Sequence, residues 1–291
     1  MAIFKDRLFF DIETMVHPQA QEWLDGGEIT LDDLTVSQLK DVLKAADETI
    51  SGTKDQLIER IDKIPTGKTE ALNMITRILN EMQDERDAEL LAKAPLDPDL
   101  GAIRSIGAIS GFEGELGVMI VPQNEKDFSP SGEVKNAEGE TVLNFVTAVY
   151  ETETDMLEAF WTLVRRNGGK VVGYNILNFD LPYLIRRSMD LEVPPHYVSM
   201  RRYQTEPTTD LQMLAAHWGA LRYKSLDFLC KRYGIENPLP ELDGSMVKDM
   251  DDETLCQYNA VDVWKLRELW KRMNGYYWPL IEEYTYPEPN F

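Results

Sequence analysis

The spacing of hydrophobic and polar positions changes period along the chain, and the changes mark its parts. Leu8 to Thr14 reads Leu-Phe-Phe-Asp-Ile-Glu-Thr, an apolar run short enough to be a buried strand. Strand alternation turns Leu8, Phe10 and Ile12 to one face and sets Asp11 beside Glu13 on the other. From His17 to about Ala94 the pattern is helical and polar instead, broken by turn signals at Gly26-Gly27 and Pro65-Thr66-Gly67. Leu39, Val42 and Leu43 follow a helix start at Thr35 to Ser37, and Leu57, Ile58 and Ile61 follow Thr53. Two short amphipathic helices around a Ser51-Gly52 turn are predicted. A third, from about Thr69 to Lys93, carries Leu72, Ile75, Ile78, Leu79 and Met82 and stops before Pro95; it is expected to pack this detour onto the main body.

Strand character resumes at Ile103 to Gly111 and Gly117 to Val121, a hairpin across the Gly111 to Gly114 turn. Pro122 to Thr141 is turn-rich and reads as an exposed excursion, and Val142 to Val149 as another strand. Thr154 to Asn167 is amphipathic, with Met156, Leu157, Phe160, Trp161 and Val164 on one side. From Lys170 to Arg187 the period switches: a buried strand at Val171 to Tyr174 passes through a turn at Asn175 to Asn178 into a helix. Its first turn can hold Pro182, because the first helical residues need no amide proton. A late helix stacks Tyr258 and Asp262 one turn apart, with Val261, Leu266 and Leu269 facing inward.

Acids change this picture. Two carboxylates at the end of a core strand repel each other and resist desolvation unless a cation lies between them, and oxygen-only ligands favour Mg²⁺ or Mn²⁺ over zinc. Alone, Asp11-x-Glu13 reads more readily as a strand running into a polar turn, and Asp180 as a structural acid favoured by a helix dipole. Together and in this order, Asp11-x-Glu13, Asn175-x-x-x-Phe179-Asp180 and Tyr258-x-x-x-Asp262 resemble the three exonuclease motifs of the DEDD superfamily, in its tyrosine-bearing branch. Asp210-Leu211 and the stretch from Lys224 to Ile235 resemble the segment before the last motif in family B DNA polymerase exonuclease domains and their stand-alone relatives. The resemblance covers residues 1–16 and about 97–275.

That resemblance implies an α/β, ribonuclease H-like fold, a mixed central sheet flanked by helices. It implies phosphodiester hydrolysis from the 3′ end of DNA with two divalent ions, Mg²⁺ or Mn²⁺. Asp11 would bridge the ions, Glu13 and Asp262 would complete the site for the ion that activates water, Asp180 would act mainly through waters, and Tyr258 would align the attacking water. Phe179 and Leu181 flank Asp180 and are candidates to stack on or wedge beside a base, with core packing as the other reading for Phe179. Asn175 is a candidate to hydrogen-bond substrate or to stabilise its turn. Arg201-Arg202-Tyr203 and Arg222-Tyr223-Lys224 pair bases with aromatics, as a single-strand groove or an ordinary surface would. His17 is read as a turn residue.

Leu34 to Ile61 resembles the SAP motif, a small helix-turn-helix DNA-binding module, through Leu34, Val36, Leu39, Lys40 and Leu43, then Gly52, Lys54, Leu57, Arg60 and Ile61. It departs from the pattern at Asp47-Glu48, where a glycine is usual. Lys40, Lys54 and Arg60 are the candidate phosphate contacts; an interaction hairpin is the alternative. The expected organisation is an exonuclease domain of residues 1–16 and 97–291, interrupted after the first strand by an all-helical insertion, 17–96, that contains the SAP-like stretch 34–61.

The net charge of −21 repels nucleic acid, so any phosphate-binding surface must be local. Acids dominate from Asp97 to Glu158, a solvated face or a dock for a basic partner such as a polymerase. Cys230 and Cys256 lack metal-type spacing and read as buried free thiols. Neither a signal pattern nor a membrane-length apolar run is seen, so a cytoplasmic protein with no membrane partner is expected. The leading reading is a 3′-5′ DNA exonuclease acting on single-stranded or frayed ends in replication, proofreading or repair. The alternatives are a 3′-5′ exoribonuclease and an accessory protein that docks a polymerase or other partner.

Overall fold

The computed structural model describes residues 7–24, 27–111, 114–123, 129 and 131–281. Contacts divide the chain into two units, residues 16–100 and residues 1–15 with 101–291.

The smaller unit is built on three helices, α1 (Val36–Ala45), α2 (Lys54–Ile61) and α3 (Thr69–Lys93). Thr35 caps α1 reciprocally with Gln38: its hydroxyl accepts the Gln38 N–H at 3.3 Å while its own N–H donates to Gln38 Oε1 at 2.8 Å. Thr53 and Gln56 repeat the device at α2. Leu34, Leu39, Val42, Leu43, Leu57 and Ile61 form the core. The apolar positions of α3, Leu72 to Met82, pack against that same core, so this helix completes the small unit's own interior. At Asp47 the backbone takes φ 59°, the left-handed conformation that ends helices and that aspartate tolerates better than most residues. The Asp47 carboxylate meets Lys68 Nζ at 2.9 Å. Its departure from the usual glycine is therefore conformationally conservative.

The larger unit contains a mixed seven-stranded sheet in the order β4-β5-β3-β2-β1-β6-β7. The strands are β1 (Leu8–Val16), β2 (Gly101–Ser110), β3 (Leu116–Ile120), β4 (Ser131–Lys135), β5 (Thr141–Val149), β6 (Val171–Gly173) and β7 (Thr208–Asp210). The predicted hairpin is present, with β2 antiparallel to β3 and Gly107 opposite Val118. β6 runs parallel to both β1 and β7. The expected excursion from Pro122 to Thr141 is corrected in part: it contains β4, antiparallel to β5. Val134 is the strand's single apolar residue and is fully buried, which leaves too little alternation to read. Residues 124–128 and 130 of that stretch lie outside the described residues.

Among the described residues, five α-helices accompany the sheet: α4 (Glu153–Arg166), α5 (Asp180–Asp190), α6 (Leu211–Ala215), α7 (Leu226–Arg232) and α8 (Asp252–Ile281). The strand β1 divides its side chains between the two faces. Leu8, Phe10 and Ile12 share a core with Phe160 and Trp161 of α4 and Leu184 of α5. Phe9 instead joins Val261, Leu266, Leu269 and Trp270 of α8, its ring edge-on to Trp270 at 5.6 Å between centroids. Asp11 and Glu13 alternate onto that α8 face. Close approach of α8 to the sheet depends on Gly107, where a Cβ would fall 2.6 Å from Val263 Cγ2 and 3.0 Å from the Asn259 carbonyl oxygen.

Arg104, one of the few bases between Asp97 and Glu158, is wholly buried. It bonds the carbonyls of Val247 and Met250 and pairs with Asp252 at 3.0 Å. The surface acids there lose even that cation. Cys230 and Cys256 are buried free thiols whose ionisation burial pushes up to about 12. Among the described residues no helix is long and apolar enough to cross a membrane.

Candidate active site

The strand β1 delivers Asp11 and Glu13, the start of α5 delivers Asp180, and α8 delivers Tyr258 and Asp262. One carboxylate oxygen from each of Asp11, Glu13 and Asp262 can be chosen so that all three lie within 4.8 Å of one another. Asp180 is buried beside them, its Oδ1 accepting the Ile12 N–H at 3.3 Å, so it is anchored to β1 between the two strand acids. The turn before it is held from the neighbouring strand. Asp210 caps α6 through the N–H groups of Gln212 and Met213, and it also accepts those of Asn175 at 3.0 Å and Leu177 at 3.1 Å. Gly173 permits this turn, since a Cβ there would lie 1.9 Å from Ile176 Cγ2.

Burial and mutual repulsion both oppose ionisation here. Asp11 and Glu13 are held well above the usual carboxylate range, first by burial and then by the surrounding acids. Burial pushes Asp180 up to about 7, against the Ile12 N–H, which favours its charge. Asp262 is raised by burial while Lys265 pulls it down. The Tyr258 hydroxyl is raised by burial and by Asp262, Glu13 and Asp11, so it stays protonated. Oxygens bound to one octahedral Mg²⁺ at about 2.1 Å are roughly 3 to 4 Å apart, and a hard divalent cation is what removes such repulsion. The donor set fits one.

Two partners of the acids escaped the sequence reading. Lys265, with its side chain 2% exposed, places Nζ 2.5 Å from Asp262 Oδ1 and 2.6 Å from Asp227 Oδ1. Its spacing of three residues from Asp262 was the available signal. Asn259 is fully buried. Its Nδ2 donates to Asp11 Oδ2 at 3.2 Å, and its Oδ1 accepts the Ser105 hydroxyl at 3.3 Å. No spacing rule would have joined it to β1.

The other predicted residues are placed differently. Asn175 adopts φ 64° and its Oδ1 accepts Asn178 Nδ2 at 2.9 Å, a turn-building role. Phe179 is half-buried against the core, its ring 5.5 Å from that of Tyr183. Leu181 lies wholly in the core and has no surface to offer a base, because the helical turn carries it to the inner face of α5. In the small unit, Lys54 Nζ bonds the Asp32 carbonyl, and Arg60 bonds the carbonyls of Thr49 and Ser51, so both brace their own turns. Lys40 is half-buried. His17 accepts the Gln19 N–H and stacks on Trp23.

The fold is of the ribonuclease H-like exonuclease type, with a small helical unit after the first strand. Residues 115–208 match the family described as DNA polymerase family B, exonuclease domain, and residues 30–63 match the SAP domain. The first match includes Asp180 and excludes Asp11, Glu13, Tyr258 and Asp262. Over 46 residues the chain is 54% identical to the DNA polymerase delta catalytic subunit of Bos taurus, 16% of this chain and 4% of that protein. Over 48 residues it is 50% identical to the DNA polymerase catalytic subunit of Saimiriine herpesvirus 2 (strain 11), 16% of this chain and 5% of that protein. The chain thus spans only a small fraction of the curated relatives it matches.

Proposed function

We propose that this chain is a metal-dependent 3′-5′ exodeoxyribonuclease acting on single-stranded or frayed ends in replication, proofreading or repair. The observation that carries the reading is the meeting of Asp11, Glu13 and Asp262 within 4.8 Å beside a protonated tyrosine. Asp11, Glu13, Asp180 and Asp262 would hold two ions, Mg²⁺ or Mn²⁺. Bound there, the ions would supply an activated water and neutralise charge on the leaving oxygen. The chain's own residues do the rest. Tyr258 keeps its proton on Oη and orients a water by hydrogen bonding, Lys265 fixes one oxygen of Asp262, and Asn259 fixes one oxygen of Asp11.

The catalytic domain in this reading is discontinuous, residues 1–16 and 97–291. The SAP match supports DNA capture by the insert at 17–96, with Lys40 the least committed of its three candidate cations. Two free thiols agree with a cytoplasmic location. A gel with end-labelled single-stranded DNA, duplex DNA and RNA, each with Mg²⁺, Mn²⁺ or EDTA, tests the proposal. Stepwise shortening of DNA from the 3′ end with metal alone is expected. Activity surviving EDTA, internal fragments only, or a preference for RNA would overturn it.

A further inference from the structure

Residues 211–235 reverse the chain's overall charge, with Arg222, Lys224, Lys231 and Arg232 against Asp227 alone. The structure brings part of this stretch alongside the segment 201–203. Arg202 Nη2 donates to Asn178 Oδ1 at 3.2 Å, which fixes the segment to the turn that leads into Asp180. Next to Arg202, the Tyr203 ring lies 6.1 Å from that of Trp218. Tyr223 follows: a Cβ at Gly219 would stand 3.2 Å from its hydroxyl. The Lys224 carbonyl accepts the Tyr174 hydroxyl at 2.6 Å, so this second segment is also pinned beside the turn. Tyr203 is 73% exposed and Tyr223 47%, and Arg202, Arg222 and Lys224 are exposed with them.

The backbone adds an independent observation. Among the described residues, six non-glycine positions have positive φ, and four of them are here: Asn175 at 64°, Tyr203 at 63°, His217 at 47° and Trp218 at 51°. Bulky aromatic residues pay conformational energy in that region, and such strain collects where a surface is shaped for binding. Packing does not explain Tyr203, whose ring is left mostly in solvent.

We propose that Arg202, Tyr203, Trp218, Arg222, Tyr223 and Lys224 form a track for single-stranded nucleic acid, on which bases behind the reacting end stack while the cations follow the phosphates. The inference rests on the nuclease reading for its connection to Asp180. Aromatic faces accept any base, and guanidinium and ammonium groups local to this strip offset the repulsion from a chain of net charge −21. An acidic peptide would use the cations and leave the rings without a purpose.

The test titrates the full chain, in EDTA to prevent cleavage, into a fluorescein-labelled oligothymidylate. Tyr203→Ala/Tyr223→Ala is expected to weaken binding about tenfold or more. Arg202→Gln/Arg222→Gln is expected to lower the slope of log affinity against log salt by about 1.4, the effect of two lost phosphate contacts on a single strand. Wild-type binding by both pairs overturns the track, as does displacement of the labelled strand by poly-L-glutamate as readily as by unlabelled oligothymidylate. Should a thermal melt show the aromatic pair unfolded, the exposed arginine pair decides. Metal-dependent hydrolysis of thymidine 5′-(p-nitrophenyl phosphate) by the wild type, an ester too small to reach the track, separately tests the nuclease reading.

Discussion

Lys265 holds Asp262 from one turn further along α8, with Nζ 2.5 Å from Oδ1 and almost no exposure to solvent. A buried ammonium beside a site built of acids compensates one of them before any metal binds. Lys265→Met removes that compensation and leaves Asp262 buried with an unopposed charge. Breaking a buried pair from one side costs about 3–5 kcal/mol, here toward the lower end because Asp227, the other partner, is half in water. Urea unfolding at neutral pH in EDTA measures it. A loss below about 1 kcal/mol would mean the pair contributes nothing net.

The raised carboxylates predict an unusual stability profile for the metal-free protein. Asp11 and Glu13 sit well above the ordinary range and Asp180 at about 7, so the folded chain binds these protons more tightly than the unfolded chain does. The stability they contribute is complete below the ordinary carboxylate range, near pH 4, and is lost as pH rises through the raised values. A divalent cation should replace it. Mg²⁺ is therefore expected to raise the Tm more at about pH 8 than at about pH 5.5, read by calorimetry against EDTA. An equal rise at both, or none, contradicts the arrangement.

Asn259 ties Asp11 to Ser105 through one buried amide. Only one orientation of that amide satisfies both ends, because its Nδ2 also donates to the Asp11 backbone carbonyl at 3.5 Å, an oxygen that can only accept. Asn259→Leu keeps the volume and removes the donor. The expected result is about a 10- to 100-fold weaker affinity for Mn²⁺, measured by calorimetry, in a variant that still melts cooperatively. Wild-type affinity in the Leu variant would reduce Asn259 to packing.

How far these features could be read in advance follows from what each depends on. Local chemistry was legible: the alternation of β1 separates Phe10 from Asp11, and Thr35 and Thr53 stand where α1 and α2 begin. The run from Tyr258 to Asp262 is a helical spacing, and both residues meet the β1 acids. Features that depend on distant partners were not legible. β4 exists through its pairing to β5 and shows one apolar residue of its own. Leu181 neighbours Asp180 in sequence yet turns into the core, and Asn259 gains its role only because α8 packs closely on β2 at Gly107.

Tyr258 offers a separation of positioning from ligation. Burial and the surrounding acids keep its hydroxyl protonated, so it can orient a water without contributing charge. Tyr258→Phe should lower the single-turnover rate about 10²-fold or more while Mn²⁺ and DNA affinities stay near wild type. A wild-type rate would leave the tyrosine as a packing residue.

The central claim is that the acids of β1 and α8 are the hydrolytic site, and Asp11 tests it most directly because it lies among all the others. Asp11→Asn preserves shape and the room for Asn259 while removing a charge that the cation needs. With a 5′-labelled single strand in Mg²⁺, the wild type should produce a ladder shortening one nucleotide at a time from the 3′ end. The variant, folded by its melting curve, should leave the strand whole. A ladder of equal rate from Asp11→Asn would contradict the account.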